Sequence, residues 1–355
     1  MDKLSDFGWT AEFMEKWQSL DTIGMVPARV VADFGTSLKI ATPEIVSAEL
    51  SGKLAHYSDR QDIPKVGDWV AVRLLDNSPA VVEEVVPRRN EFVRKVSGKR
   101  TVKQVIAANI DLAFVLLALD DDFSVERLKR YLYQLSADKI EPVIVLNKAD
   151  KTEVLGSYVA KLESIGLPII VSTATDGLGI NEILGHISPG LTAILLGSSG
   201  VGKSTITNKL LGREVQITQA VRQSDSTGKH TTVHRELFVL PNGGLLIDTP
   251  GIRELQLWGT EEDLSESYDD ILELASQCKY SNCQHGSEEG CAIRKAIDEG
   301  SLSLTHYNNY LKMRLELVSL KEKNTVLKRT GNRKSHKKIQ RQDGETLDEM
   351  QEDLD

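Results

Sequence analysis

The chain has 355 residues, 40% of them apolar and 27% charged, which suits a soluble globular protein of two or three domains. Its polar, acidic opening MDKLSDFGWTAEF lacks the apolar stretch of a secretory signal, and its longest apolar run, residues 112–119, is far short of the roughly 20 residues a membrane span takes. Those features predict a cytoplasmic protein without a membrane partner, and the net charge of −9 speaks only weakly against nucleic acid, because charge is segregated along the chain.

Residues 1–24 read as helical and peripheral. From about Met25 to Pro87 come five β-rich stretches, ARVVADFG, LKIATP, VSAELSG, DWVAVRLL and AVVEEVVP, with turn residues between them. Five strands in so short a span predict a small β-barrel over residues 25–95. An OB-fold is the natural form, an SH3-like barrel or a meander the alternative. The stretch PRRNEFVRKVSGKRTVKQ that follows gathers Arg88, Arg89, Arg94, Lys95, Lys99, Arg100 and Lys103. Such a cluster is either an RNA-facing patch or a solvated face.

Over residues 105–258 the texture turns α/β. The strands IDLAFVLLAL, EPVIVL, PIIVS and TAILLG alternate with the helices SVERLKRYLYQL, EVLGSYVAKLESIG, GINEILGHI and STITNKLLG. Two more strands then flank a PNGG turn. This alternation predicts a mostly parallel sheet covered on both faces.

Three motifs stand at strand ends. GSSGVGKS comprises Gly197, Ser198, Ser199, Gly200, Val201, Gly202, Lys203 and Ser204. It matches the phosphate loop between a strand and a helix, whose first turn adds Thr205 to the site. Its glycines let backbone N–H groups wrap phosphates at a helix N-terminus, Lys203 supplies a charge to the β/γ-phosphates, and Ser204 can ligate Mg²⁺. LLIDTPG supplies Asp248 for the Mg²⁺ shell, usually through water, and the N–H of Gly251 for the γ-phosphate. NKAD comprises Asn147, Lys148, Ala149 and Asp150. The Asp150 carboxylate can accept both the N1–H and the 2-amino group of guanine, a pair adenine does not offer. Asn147 can hold neighbouring loops, and the Lys148 stem can cover the ring. Alone, NKAD reads equally well as a loop in which Asp150 caps the next helix. Ser172 and Thr173, after the following strand, stand where backbone amides would support the base.

The order is unusual: NKAD precedes the phosphate loop, and DTPG comes last. Binding needs the spatial order of loops at the carboxyl ends of one sheet rather than their chain order. A domain with close termini tolerates such a permutation, with residues 188–190 joining the former ends.

All three cysteines lie within residues 278–291, in the pattern C-x4-C-x-H-x5-C. Cys278, Cys283, His285 and Cys291 make the ligand set of a closed tetrahedral zinc site. The alternative is a loop holding free or buried cysteines. Residues 323–341 carry eight Lys or Arg and no acids, and residues 342–355 seven acids and no Lys or Arg. The basic block suits RNA phosphate or is a solvated face.

Barrel, permuted GTPase motifs and cysteine cluster together resemble one family, the ribosome small subunit-dependent GTPase A proteins, over nearly the whole chain. The resemblance implies a multidomain protein: an N-terminal OB-fold barrel, a central circularly permuted P-loop GTPase, and a C-terminal α-helical zinc-binding domain over 259–330 before a tail at 331–355. It implies a monomer that hydrolyses GTP to GDP, stimulated by the small ribosomal subunit, and that binds rRNA late in subunit maturation. GKHTT, residues 228–232, resembles the family's switch motif. By that resemblance Thr232 is the Mg²⁺ ligand, with Thr231 the next choice, and His230 positions the attacking water, so that His230, Lys203 and Thr232 form the catalytic set. Ile252 follows DTPG where many GTPases place a water-orienting glutamine, so unaided hydrolysis is expected to be slow.

Overall fold

A computed structural model describes residues 2–35, 37–42, 44–57, 62–95, 103–163, 165–214, 235–249, 257–258, 260, 264, 268–286 and 288–322. Two short helices, Asp2–Ser5 and Ala11–Gln18, precede five strands. These are β1 (Val26–Asp33), β2 (Leu38–Ala41), β3 (Ile45–Leu50), β4 (Trp69–Arg73) and β5 (Ala80–Val85). They close in the order β1-β2-β3-β5-β4-β1, with β3 and β5 parallel and the other pairs antiparallel. The helix Gly52–Tyr57 lies between β3 and β4. This is the five-stranded OB barrel, and the branched residues Val30, Ile40, Val70, Val72 and Val82 fill its interior with Ala28 and Ala48.

The N-terminal helices are not peripheral. Leu4 and Phe13 are buried with Trp69 and Val86 of the barrel, and the Trp9 ring packs edge-on against Trp69 at 4.5 Å. Their aromatic side chains cover a face of Trp69 that barrel strands alone would leave wet.

A hairpin of β6 (Glu91–Lys95) and β7 (Lys103–Ala108) leads to the α/β sheet. Its strands are β8 (Leu112–Ala118), β9 (Glu141–Asn147), β10 (Ile169–Val171), β11 (Thr192–Leu196), β12 (Arg235–Val239) and β13 (Leu245–Asp248). They lie in the order β10-β9-β8-β11-β13-β12, parallel except for the β12–β13 pair. All seven residues of β8 are buried. Ala113, Val115 and Leu117 join the core on one face, and Leu112, Phe114, Leu116 and Ala118 that on the other. The strand therefore reads as a continuous apolar run because both its faces are covered.

Strand β12 pairs with β1 of the barrel, Ala32 opposite Glu236 and Asp33 opposite Arg235, so one 11-stranded sheet runs through both parts. The seam is polar and buried. Arg29 of β1, 1% exposed, donates to the carbonyls of Phe7 and Asn109 and to Thr192 Oγ1 at 3.1, 3.2 and 3.2 Å. Burial lowers its pKa to about 10, opposed by Asp111 and Asp68. Gly67, at φ +91°, is required there: a Cβ would sit 2.1 Å from the Ala108 carbonyl oxygen.

Three members of the first basic cluster are ion-paired within the fold. Arg88 donates to Asp68 at 2.8 Å through two nitrogens and to Glu91 at 2.8 Å, Arg89 pairs with Asp111 at 2.6 Å, and Lys103 pairs with Glu91. These three cations hold the seam and hairpin, while Arg94 donates to the neutral Gln104 side chain at 3.0 Å. Lys99 and Arg100 lie outside the described residues.

The chain divides into two compact units, residues 1–95 with 103–256, and residues 96–102 with 257–355. The second contains helices Asp269–Ser276 and Ala292–Asp298 on either side of the cysteine loop, and a longer helix over 304–322. Tyr268 is fully buried there and receives a 2.7 Å hydrogen bond from Asn309 Nδ2 on its hydroxyl. Among the described residues, no helix is long and apolar enough to cross a membrane.

Candidate nucleotide site and metal cluster

Parallel pairing brings the carboxyl ends of β9, β8, β11 and β13 side by side, and each end carries a polar loop. The phosphate-loop motif bridges β11 and the helix Lys203–Leu211. Gly197, Gly200 and Gly202 have φ of +146°, +82° and +107°, a backbone that other residues rarely adopt. At Gly202 a Cβ would also lie 2.2 Å from Asn147 Nδ2. Lys203 is buried, and its Nζ donates to the carbonyls of Gly197 and Ser198 at 2.8 and 2.6 Å. Burial lowers its pKa to about 8, with the charge of Asp248 opposing. Ser204 and Thr205 are half-buried on the same first turn, and Ser199 and Gly200 are exposed at the loop tip. Asp248 is buried at the end of β13, where Thr249 Oγ1 donates to the Leu195 carbonyl at 2.9 Å and ties that turn to β11.

Asn147 joins three loops. Its Nδ2 donates to the Val201 carbonyl at 2.8 Å, and its Oδ1 accepts from the Ala174 N–H at 3.2 Å. Lys148 takes a left-handed conformation at φ +62°, and Ala149–Lys151 makes one 3₁₀ turn. The next helix starts only at Leu155, so Asp150 does not cap it. The Asp150 carboxylate is left exposed, 3.4 Å from Lys151 Nζ. The Ser172 hydroxyl donates to the Leu178 carbonyl at 2.9 Å, and the Ser172 carbonyl accepts from the Ala149 N–H at 3.1 Å. Thr173 N–H likewise donates to Leu178, which fixes this loop beside NKAD.

Asn147, Lys148, Asp150, Ser172, Thr173, the phosphate loop and Asp248 thus share one edge of the sheet. Gly228, His230, Thr231, Thr232, Gly251 and Ile252 lie outside the described residues, as does the tail from 323. Sequence reasoning missed the loop Asp120–Asp122 beside them. Asp122 accepts from Ser198 Oγ and from Arg127 Nη1, and Lys148 Nζ donates to Asp120 Oδ2 at 2.7 Å. The signal available was an acidic triplet directly after a buried strand of the same sheet.

In the second unit, one ligand atom each from Cys278, Cys283, His285 and Cys291 lies within 4.8 Å of the others. His285 Nδ1 is 3.5 Å from Cys278 Sγ and 3.6 Å from Cys291 Sγ. Tetrahedral bonds of about 2.3 Å to sulfur and 2.0 Å to nitrogen put such atoms about 3.5 Å apart, so the donors fit one ion. Backbone N–H groups of His285, Ala292 and Arg294 each point at a cysteine sulfur at 3.4 Å and would stabilise thiolates. His285 reaches this position at φ +60°.

A family model described as RsgA GTPase matches residues 85–258. The chain is 40% identical over 300 residues to Small ribosomal subunit biogenesis GTPase RsgA 1 of Oceanobacillus iheyensis, covering 83% of this chain and 86% of that one. It is 36% identical over 350 residues to Small ribosomal subunit biogenesis GTPase RsgA of Syntrophotalea carbinolica, covering 96% of both. Among solved structures, YjeQ from Thermotoga maritima superposes with a TM-score of 0.59 at 24% identity, over 83% of this chain and 99% of that one. YloQ, described as a circularly permuted GTPase, does so with 0.57 at 23% identity, over 84% and 97%. The two structures share the fold.

Proposed function

The chain belongs to the RsgA GTPase family, and from that membership we propose that it is a GTPase of small ribosomal subunit maturation, which binds rRNA and leaves the subunit when GTP is hydrolysed. The observation that carries this reading is the Asn147 clamp, which holds the NKAD loop, the phosphate loop and the loop at 172–174 at one sheet edge. Asp150 reads guanine, the Lys148 stem covers the base, and the amides around Ser172 and Thr173 support it. The phosphates lie on Gly197–Ser204 backbone amides with Lys203 against the β/γ oxygens. Ser204 and Thr232, and Asp248 through water, are the residues to hold Mg²⁺, which neutralises charge on the transferred phosphoryl group. Gly251 N–H meets the γ-phosphate.

His230 positions the attacking water, a role Ile252 cannot fill. Replacing His230 with alanine is expected to abolish ribosome-stimulated turnover and leave GTP affinity unchanged, and an undiminished stimulated rate removes it from the reaction. Zinc is the ion that three thiolates and an imidazole select, and its role is to hold the cysteine unit folded. The division into a barrel at 25–95, a GTPase at 105–258 and a zinc domain at 259–330 follows the same reading, and the basic block at 323–341 is the RNA-facing segment.

The decisive measurement is GTP turnover alone, with isolated small subunits and with large ones, across a salt series. Stimulation by small subunits only, weakening as salt rises, is expected. Equal rates under all three conditions overturn the ribosomal assignment.

A further inference from the structure

The loop after β8 binds both halves of the nucleotide site. Its first tie is to the base loop: the Leu119 N–H donates to the Asn147 carbonyl at 2.9 Å. The second is the Lys148–Asp120 ion pair at 2.7 Å. The third is Phe123, packed edge-on against Tyr158 of the helix after NKAD at 4.7 Å. On its other side, Asp122 accepts from Ser198 Oγ in the phosphate loop and from Arg127 Nη1, the latter at 2.6 Å. Asp120 Oδ1 also accepts from the Asp122 N–H at 3.0 Å, so the two carboxylates share one tight turn. Burial opposes ionisation of Asp120, but the hydrogen bonds from Lys148 and from the Asp122 N–H, together with the charge of Lys148, outweigh it and lower its pKa, and Arg127 holds Asp122 ionised.

Lys148 can cover a purine ring only if its stem runs across the loop rather than out to solvent. Its left-handed backbone sets the start of that path, and Asp120 fixes the far end. We propose that Asp120 is a positioning residue for base recognition and that Asp122 is its counterpart for the phosphate loop. Together they make Asp120–Asp122 a strap that sets the distance between the base and phosphate subsites. This rests on the reading of 147–150 as the base loop.

The test uses the full chain and equilibrium titration with GDP and with ADP. Wild type, Asp120→Asn, Asp120→Glu, Lys148→Ala and the Asp120→Asn/Lys148→Ala double variant are compared. Wild type is expected to prefer GDP. Asp120→Asn is expected to weaken GDP by about fivefold, as suits a partly exposed ion pair, and Asp120→Glu, which keeps the charge, to restore most of that loss. In the Lys148→Ala background the Asp120 change is expected to have no further effect. An Asp120 effect that survives in full without Lys148 overturns the positioning role. A wild-type chain that binds GDP no better than ADP overturns the base-loop reading itself, a separate result. If Asp120→Asn does not fold, Asp120→Ser takes its place in the same cycle: an Asp120→Ser effect that persists unchanged in the Lys148→Ala background overturns the proposal, and one that vanishes there supports it.

Discussion

The nucleotide-site unit and the cysteine unit place their functional groups by opposite means. In the first, every residue of β8 and β11 is buried, and the loops hang from a sheet whose core is complete before any ligand arrives. In the second, of four candidate ligands only Cys291 is buried, and the flanking helices have eight and seven residues, too short to be stable alone. Apolar burial organises one site and leaves it waiting for its ligand. The other site, on the proposed reading, would owe the order of its loop to a bound ion.

The contrast is tested hardest by removing the ion. Structural zinc is worth on the order of 10 kcal/mol to a small domain. Cys283→Ser, or strong chelation, is therefore expected to strip hydrogen-exchange protection from Asp269–Ser276 and Ala292–Asp298 while β8 keeps its own. Joint loss in both units would end the distinction. Lys203→Ala probes the other side. It removes a buried cation that contributes nothing to the apolar core, so GTP turnover is expected to fall by about a hundredfold or more, while the melting temperature stays within a few degrees. Phosphate release and calorimetry read the two effects, and a large loss of stability would show that the site helps to build the sheet.

The smallest effect is a pH slope confined to the burial-built unit. Asp138 follows the helix Val125–Ala137, and its Oδ2 accepts from the Val93 N–H and Gln134 Nε2 at 3.1 and 3.2 Å. Burial pushes its pKa up to about 8 despite these donors. In the unfolded chain it ionises near a pH of about 4. The fold therefore binds the extra proton between these values, and stability falls as pH rises from about 4 to about 8. Asp138→Asn is expected to melt a few degrees above wild type at pH 8 and with it at pH 4, and parallel profiles would refute the assignment.

The nucleotide loops were legible in sequence because phosphate contact needs backbone that only glycine takes up readily, as Gly197 and Gly202 do. The cysteine cluster was legible because its ligand types are scarce elsewhere in the chain. What escaped was set by partners remote in sequence. A run of cations such as Arg88 and Arg89 does not reveal that Asp68, Glu91 and Asp111 face it. Trp9, Phe13 and Trp17 on an apparently loose segment gave no sign that Trp69 would receive them. Arg29 would be placed in solvent as a charged strand residue; it is buried because Phe7, Asn109 and Thr192 close over it where the α/β part arrives.

That arrival has a practical side. With β1 hydrogen-bonded along β12, neither the barrel nor the α/β sheet ends at the seam. A fragment starting beyond the barrel would carry β12 as a bare edge, a ready template for self-association. Its precipitation would report a missing strand partner rather than a failed nucleotide site, and pairing β12 with a short peptide copied from β1 would be the way to tell them apart.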